Sequence, residues 1–390
     1  MHKQLADLEL RDRRVLVRVD FNIPLDGDRQ ITSDARIRGA LPTIEAILQA
    51  GGRPVLMSHL GRPKGQVVEA MRLRPAGARL GELLDVPVRY SEDCLGEGAV
   101  DASLALQEGE CLLVENLRFH PQETSGDQGF AEQLAKLGDC YVNDAFGTSH
   151  RVHASIAGVP AFLPSAAGLP LQRELDSFDR LLDTPEHPVV AILGGAKVSD
   201  KLPVILNLLD KVDAILIGGA MAYTFLRHQG VEIGDSMCED DLLDDAGQVL
   251  TTAEEKGVRL LLPVDHVCAA EFKADAPTSV QGPAIPAGTM ALDIGPKTVA
   301  LFGAEIAAAK TLVWNGPMGV FEMPAFRAGT ETIAKAVAAS DSWSLVGGGD
   351  SVAAVEMLGV AESIDHVSTG GGASLALLSG KPLPGLTALR

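Results

Sequence analysis

The 390-residue chain reads as an α/β protein made of two similar doubly wound, parallel-sheet (Rossmann-like) domains joined by a helix and a hinge. Three observations predict this class. The length corresponds to between two and three domains of ordinary size. Short β-branched or Leu-rich runs alternate with helical stretches along the whole sequence, which is the pattern of βαβ units. The runs are apolar without alternation, as strands are when helices cover both faces of their sheet.

Taken in order, strands are expected at residues 15–21, 54–60, 86–90, 111–117 and 140–146 in the first half. In the second half they are expected at 189–193, 214–218, 259–264, 311–314, 343–346 and 366–368. The helices between them carry end signals. Thr32-Ser33-Asp34 would cap a periodic stretch closed by Gly51-Gly52, with Pro42 inside it predicting a kink. Ser199-Asp200 would cap residues 201–211, and Asp350-Ser351 would cap 352–358 with Gly359 behind. A stretch containing Pro164, Gly168 and Pro170 precedes an amphipathic segment, 171–182, that reads as a stiff connecting helix. The expected domains are therefore residues 1–170 and 171–374.

Composition narrows the function. Apolar residues make up 46% and charged residues 22%, values that exclude a disordered or low-complexity chain. Aromatics are only 4%, so aliphatic side chains must build the cores. The net charge of −19 argues against nucleic acid or an anionic membrane as partner, since both reward Lys and Arg. Most of the arginines fall in the first half, which makes bidentate anion recognition more natural there. Cys94, Cys111, Cys140, Cys238 and Cys268 are odd in number and never CxxC, so they read as small buried hydrophobes in a reducing cytoplasm. Residues 1–16 mix both charges without an apolar stretch, so no signal peptide is expected, and no apolar run of about 18 residues suggests a membrane span.

The chemistry is written at strand ends. Asp20-Phe21-Asn22, Ser58-His59-Leu60-Gly61-Arg62, Glu115-Asn116-Leu117-Arg118 and Asn143-Asp144-Ala145-Phe146 would share the carboxyl rim of one sheet, where open α/β sheets bind ligands. Arg36, Arg38, His59, Arg62, Arg118 and Arg151 are candidates for a phosphate and carboxylate cradle. Any one arginine alone reads more readily as a surface ion pair, and His59 or His153 alone as a core or capping histidine. Recurrence at successive strand ends favours a site. In the second half, glycine clusters at 194–195, 218–219, 347–349 and 370–372 feed helix starts, where backbone N–H groups and the helix dipole favour phosphate. Lys197 and Lys201 would neutralise phosphate charge; Asp350 suits Mg²⁺ or plain N-capping. The loops match neither GxxxxGK[ST] nor GxGxxG, which tells against a P-loop protein or an ordinary dinucleotide dehydrogenase. A hydrolase is weaker still, since no nucleophile and base pair emerges.

Long segments carrying these residues resemble the phosphoglycerate kinase family: Arg18–Pro24, Ser58–Pro63, Glu115–Phe119, Gly194–Val198, Trp314–Glu322, Gly347–Ser351 and His366–Ala373, in family order. The resemblance implies that 3-phosphoglycerate or 1,3-bisphosphoglycerate lies on the first domain, at Asp20, Phe21, Asn22, Arg36, His59, Leu60, Gly61, Arg62, Arg118 and Arg151. It implies that ADP or ATP lies on the second, at Gly195, Lys197, Lys201, Gly219, Gly295, Asn315, Glu322, Gly348, Gly349, Asp350 and Ser351, with Glu322 on the ribose and Mg²⁺ at Asp350. Arg36 and Lys197 would act on the transferring phosphoryl group. The resemblance further implies a monomer, domain closure about the hinge, and a tail, residues 375–390, that packs back on the first domain. Ser351 stands where the family often has Thr, which keeps the hydroxyl. A scaffold protein on the same fold would be expected to lose Arg36, Lys197 or Asp350, and all are present. Residues 276–288, with three prolines, match nothing in the family pattern and are candidates for adenine contacts.

Overall fold

A computed structural model describes residues 3–389. Strands form where the apolar runs predict them, but most end early. β1 (Arg14–Arg18), β2 (Arg53–Met57), β3 (Val88–Tyr90), β4 (Cys111–Leu113), β5 (Cys140–Asn143) and β6 (Ser165–Ala167) build one parallel sheet in the order β3-β4-β2-β1-β5-β6. β7 (Val189–Leu193), β8 (Ala214–Ile217), β9 (Arg259–Leu261), β13 (Thr311–Asn315), β14 (Trp343–Val346) and β15 (His366–Val367) build a second, in the order β15-β14-β13-β7-β8-β9. Between β9 and β13 the chain adds an antiparallel sheet of β10 (His266–Ala269), β11 (Ser279–Gln281) and β12 (Met290–Ile294). This sheet and β6 are additions to the expected strand set.

Both large sheets change direction of winding next to their first strand, between β1 and β5 and between β7 and β13. Such switch points open a crevice outside the strands' carboxyl ends. The residues after β1 and those after β7 and β13 therefore occupy the two places where this architecture binds ligands.

The chain divides into two compact units: residues up to Asp176 together with those from Pro382 on, and Ser177–Lys381. The helix Leu169–Leu182 crosses that division. Within the first unit the C-terminal turn Pro384–Thr387 is tied by the Gly385 amide to the Ser149 carbonyl. Aliphatic residues fill both cores, as the scarcity of aromatics requires. Val15, Val17, Ile37, Ile44 and Leu56 are fully buried in one, and Ile192, Leu216 and Leu312 with Phe302 and Trp314 in the other. Each such side chain contributes about 1.5–3 kcal/mol of burial. Four of the five cysteines are buried and Cys238 is partly exposed; among the described residues all are free thiols.

The helix ends differ from the reading of caps. Asp34 stands at the N-cap of Ala35–Gln49, but its carboxylate bonds Arg38 and Arg79 rather than the backbone. That helix runs on through Pro42. Helix Val198–Leu208 starts before Ser199, with Lys197 at its N-cap, and Gly349–Met357 starts at Gly349, with Gly348 as N-cap at φ +94°. Asp350 and Ser351 thus lie in the first helical turn, and Asp350 complements the dipole there.

Candidate active site

In the first unit the apolar parts of the motifs stay in the core together with Ser58, His59, Glu115 and Asn116, while Asp20, Asn22, Arg62 and Arg118 reach partly or fully to the surface. Phe21 is fully buried, its amide donating to Ser58 Oγ at 2.8 Å, and Leu60 is buried with its carbonyl accepting from Asn116 Nδ2 at 2.8 Å. Their contribution to a site is made by backbone position. Asn22 Oδ1 accepts from the Gly61 amide at 2.8 Å, which clamps the loops after β1 and β2 together. Arg118 donates to the Gly61 carbonyl at 2.9 Å, and its buried Nε has no partner among the described residues. Arg36 pairs with Asp20 at 2.8 Å, whereas Arg38 is held by Asp34 as an ordinary helix ion pair, which removes it from the cradle. Arg62 and Arg151 are exposed and form no ion pair among the described residues.

The electrostatics of this cluster are those of crowded cations. Burial, and then the positive charge of Arg18, Arg118 and Arg36, push His59 well below its usual range. Burial, with Arg118, Arg18 and Arg151, brings His153 down to about 4. Arg118 is itself lowered, by burial first and Arg18 second. Cations that depress one another's protonation mark a candidate site for an anion.

Three residues here escaped the sequence reading as site members: Arg18, Glu123 and Ser155. Arg18 is fully buried and contacts His59 Nδ1 at 3.0 Å, and its Nε donates to Ser155 Oγ at 3.0 Å. Glu123, also fully buried, accepts from the Ser155 amide at 2.9 Å and from its hydroxyl at 2.6 Å. Ser155 reaches both because it sits in a single π-helical turn, Ala154–Gly158. Only the charge of Arg18 in an otherwise apolar strand run hinted at any of this.

In the second unit the glycine loops pack on one another. A Cβ at Gly316 would overlap the Gly194 carbonyl, and one at Gly194 would overlap the Pro317 carbonyl. The amides of Gly194, Gly195, Gly218, Gly219 and Gly347 already donate to the carbonyls of Asn315, Pro317, Leu193, Met318 and Trp314. These N–H groups are therefore spent on loop structure, which corrects the expectation that each glycine cluster turns its amides to phosphate. Ser351 is likewise fully buried, its Oγ accepting from the Gly316 amide at 2.6 Å. Asn315, almost fully buried, holds Lys201 Nζ through Oδ1 and the Gly347 carbonyl through Nδ2 at 2.9 Å. Burial lowers Lys201, against the opposing charges of Asp200 and Asp350. Lys197 is exposed, with no hydrogen bond or ion pair among the described residues.

A pocket of about 580 Å³ opens over these loops. Gly195, Gly219, Glu322 and Asp350 line it, together with an apolar wall from Tyr223, Met237, Phe272, Met290, Leu292 and Val320 that motif reading missed. Residues 276–288 do not line it; they form β11 and the approach to β12, and the wall comes from residues on either side. Gly295 does not line it either. It stands at the N-cap of Pro296–Ala308, where a Cβ would collide with Asp265.

Asp350 is the pocket-lining carboxylate that stands in the first turn of Gly349–Met357; Asp235 and Glu322 line the pocket too. That fits Mg²⁺, which takes one or two carboxylates and completes its shell with phosphate oxygens and water. Among the described residues the only group of three ligand-type side chains is Asp93, Cys94 and His120 in the first unit, and Asp93 Oδ1 there already accepts from the Cys94 and Leu95 amides. No helix among the described residues is long and apolar enough to cross a membrane.

Comparison with known proteins agrees with this geometry. A sequence model of the family described as phosphoglycerate kinase matches residues 5–381. The chain is 57% identical to the phosphoglycerate kinase of Moorella thermoacetica, over 99% of this chain and 98% of that one. It is 54% identical to that of Chlorobium phaeobacteroides over 99% of each. Among solved structures, phosphoglycerate kinase from Coxiella burnetii superposes with a TM-score of 0.92 at 40% identity, covering 100% of this chain and 99% of that one. The enzyme from Pyrococcus horikoshii gives 0.83 at 32% identity, covering 99% and 98%. Two parallel sheets with switch-point sites, matched end to end in sequence and fold, establish that this chain belongs to the phosphoglycerate kinase family.

Proposed function

We propose that the chain catalyses reversible, Mg²⁺-dependent phosphoryl transfer between 1,3-bisphosphoglycerate and ADP, giving 3-phosphoglycerate and ATP, as a glycolytic kinase. The observation that carries the reading is the cation cluster of the first unit, in which Arg18, Arg118 and Arg36 act on the buried His59, Arg62 on Arg118 and Arg151 on His153, while Arg62, Arg118 and Arg151 form no ion pair among the described residues. A phosphorylated carboxylic acid supplies the two anionic groups that such a cluster lacks.

In the direction of acyl-phosphate formation the substrate carboxylate attacks the γ-phosphorus of ATP as the bond to the ADP oxygen breaks. The nucleophile is already ionised near neutral pH, so no general base is needed. Catalysis then reduces to positioning and charge neutralisation across the three equatorial oxygens. In this reading Arg62, Arg118, Arg151 and His59 hold the acid, with Asp20 and Asn22 setting the loop. The apolar wall around Phe272 and Tyr223 takes the base, Glu322 the ribose, and Lys201 and the first turn of Gly349–Met357 the phosphates. Arg36 and Lys197 bind the transferring group. Mg²⁺, when bound at Asp350, neutralises phosphate charge. Five free thiols support work in a reducing cytoplasm, and we infer a monomer whose two units close over their ligands.

The test is ATP consumption with Mg²⁺, with and without 3-phosphoglycerate, coupled to detection of the acyl phosphate. Turnover that requires the acid and produces acyl phosphate is expected. ATP left untouched while both ligands bind would reduce the chain to a binding protein.

A further inference from the structure

Arg18 ends β1 with no exposed surface, and its whole guanidinium is engaged. Nε donates to Ser155 Oγ at 3.0 Å, Nη1 to the Val19 carbonyl, and Nη2 lies 3.0 Å from His59 Nδ1. A guanidinium has donors only and stays charged in proteins. In the Arg18–His59 contact the arginine therefore donates and Nδ1 accepts. An imidazole whose Nδ1 is an acceptor is neutral and carries its one proton on Nε2. No protein partner for Nε2 exists among the described residues.

We propose that Arg18 is a positioning residue that holds His59 as the neutral Nε2–H tautomer, so that His59 meets the acidic substrate as an uncharged hydrogen-bond donor and takes up no proton when it binds. The proposal rests on reading the first unit as the 3-phosphoglycerate site.

The direction of every bond in the chain supports it. The Ser155 hydroxyl lies 2.6 Å from Glu123 Oε1, and a carboxylate can only accept, so the hydroxyl spends its proton there and offers a lone pair to Arg18. Glu123 is fully buried and compensates the buried cation through that bridge. The one carboxylate near the ring, Asp20, lies 3.9 Å from Nδ1, beyond hydrogen-bond range, and is bound to Arg36. The remaining charged or titratable groups acting on His59 are Arg118, Arg36 and His153, and all of them oppose its protonation. Positive charge for the substrate thus comes from arginine, while His59 contributes direction.

Nitrogen-15 spectra of the intact, histidine-labelled protein test this between about pH 5 and pH 8. The expected result is His59 with Nδ1 unprotonated and Nε2 protonated throughout, free and with saturating 3-phosphoglycerate, and with Nε2 shifting on addition. A proton on Nδ1 in either state overturns the proposal. If 3-phosphoglycerate saturates without moving either His59 nitrogen, the site reading falls, while the free-state spectrum still decides the tautomer. In Arg18→Met, His59 should begin to titrate within that window. KM for 3-phosphoglycerate should rise about tenfold with kcat within about threefold, because a contact made equally in ground and transition states is weakened. Arg18→Lys, which restores one donor, should return the wild-type spectrum. An unchanged His59 spectrum in folded Arg18→Met overturns the assignment to Arg18, and the wild-type spectra stand whether or not that variant folds.

Discussion

On the proposed function, Arg36 and Lys197 would present the phosphoryl group with two differently prepared cations. Arg36 is pre-oriented by Asp20 at 2.8 Å, whereas Lys197 is exposed at the N-cap of its helix, with no hydrogen bond or ion pair among the described residues and only the charge of Glu239 acting on it. A cation at a helix N-terminus opposes the dipole, so Lys197 weakens its own helix unless an anion arrives. Lys197→Ala should lower kcat about 10²–10³-fold, the usual cost of one transition-state donor, while leaving 3-phosphoglycerate affinity within about twofold. Equal loss in kcat and in affinity for the acid would contradict that role. His153 supplies a prediction in pH. Its folded value, about 4, lies below the ordinary 6.5, so the unfolded chain binds the proton first. Stability is then complete above about pH 6.5 and falls as pH drops toward 4, by up to about 1.4 kcal/mol per pH unit from this group. His153→Gln should flatten that limb in denaturant titrations run across the range. A limb of unchanged slope would mean that His153 does not carry it.

Whole elements hold the site by backbone contact, and the second unit shows this at the loop after β13. Gly316 has φ +103° and lies against the Gly194 carbonyl, so an alanine there meets both a forbidden conformation and a collision. Gly316→Ala should lose about 2–4 kcal/mol of stability and weaken nucleotide binding more than acid binding, measured by thermal unfolding and by titration of each ligand. Acid binding falling in parallel with nucleotide binding would point to global unfolding. The loop after β5 behaves differently. Burial raises Asp144 to about 8, and Oδ2 has no partner among the described residues. Because the folded value is raised, the group stabilises below the ordinary carboxyl range and loses that contribution as pH rises toward 8. Asp144→Asn should remove a downward slope of up to about 1.4 kcal/mol per pH unit between roughly pH 5 and 7. Such elements were partly legible beforehand. Apolar runs located the large-sheet strands other than β6, but they overran the carboxyl ends, because Val19, Phe21 and Leu60 stay buried after leaving the sheet. β6 is Ser165-Ala166-Ala167 and β11 is a largely exposed edge, so neither has the side chains that announce a strand. Caps were misread where tertiary partners captured the capping group: Arg79 took Asp34, Glu239 took the Ser199 hydroxyl, and Gly316 took Ser351. The polar rim was readable because it sits inside long motifs. The Glu123–Ser155 link and the Phe272 wall were not, since each depends on chain segments brought together only by folding.

For the whole molecule the proposed function places acid and nucleotide on different units. His59, Arg62, Arg118 and Arg151 belong to the unit made of residues up to Asp176 and from Pro382 on, and Asp350, Glu322 and Lys197 to Ser177–Lys381. In-line transfer needs the reacting atoms about 3–3.5 Å apart, and a phosphoryl group exposed to water would be lost to hydrolysis. Each ligand alone completes one site and leaves the other empty, so neither alone has a reason to bring the units together. On the proposed function, both together would recruit Arg36 from one unit and Lys197 from the other to the same three oxygens. The net charge of −19 would oppose such a closure by self-repulsion, which makes salt a variable to control. Small-angle scattering should therefore show a smaller radius of gyration with 3-phosphoglycerate, Mg²⁺ and a non-hydrolysable ATP analogue than with either ligand alone. Lys197→Ala should bind both and compact less. If the doubly liganded protein keeps the radius of the singly liganded ones, closure is not what limits transfer, and the two sites must already stand in line.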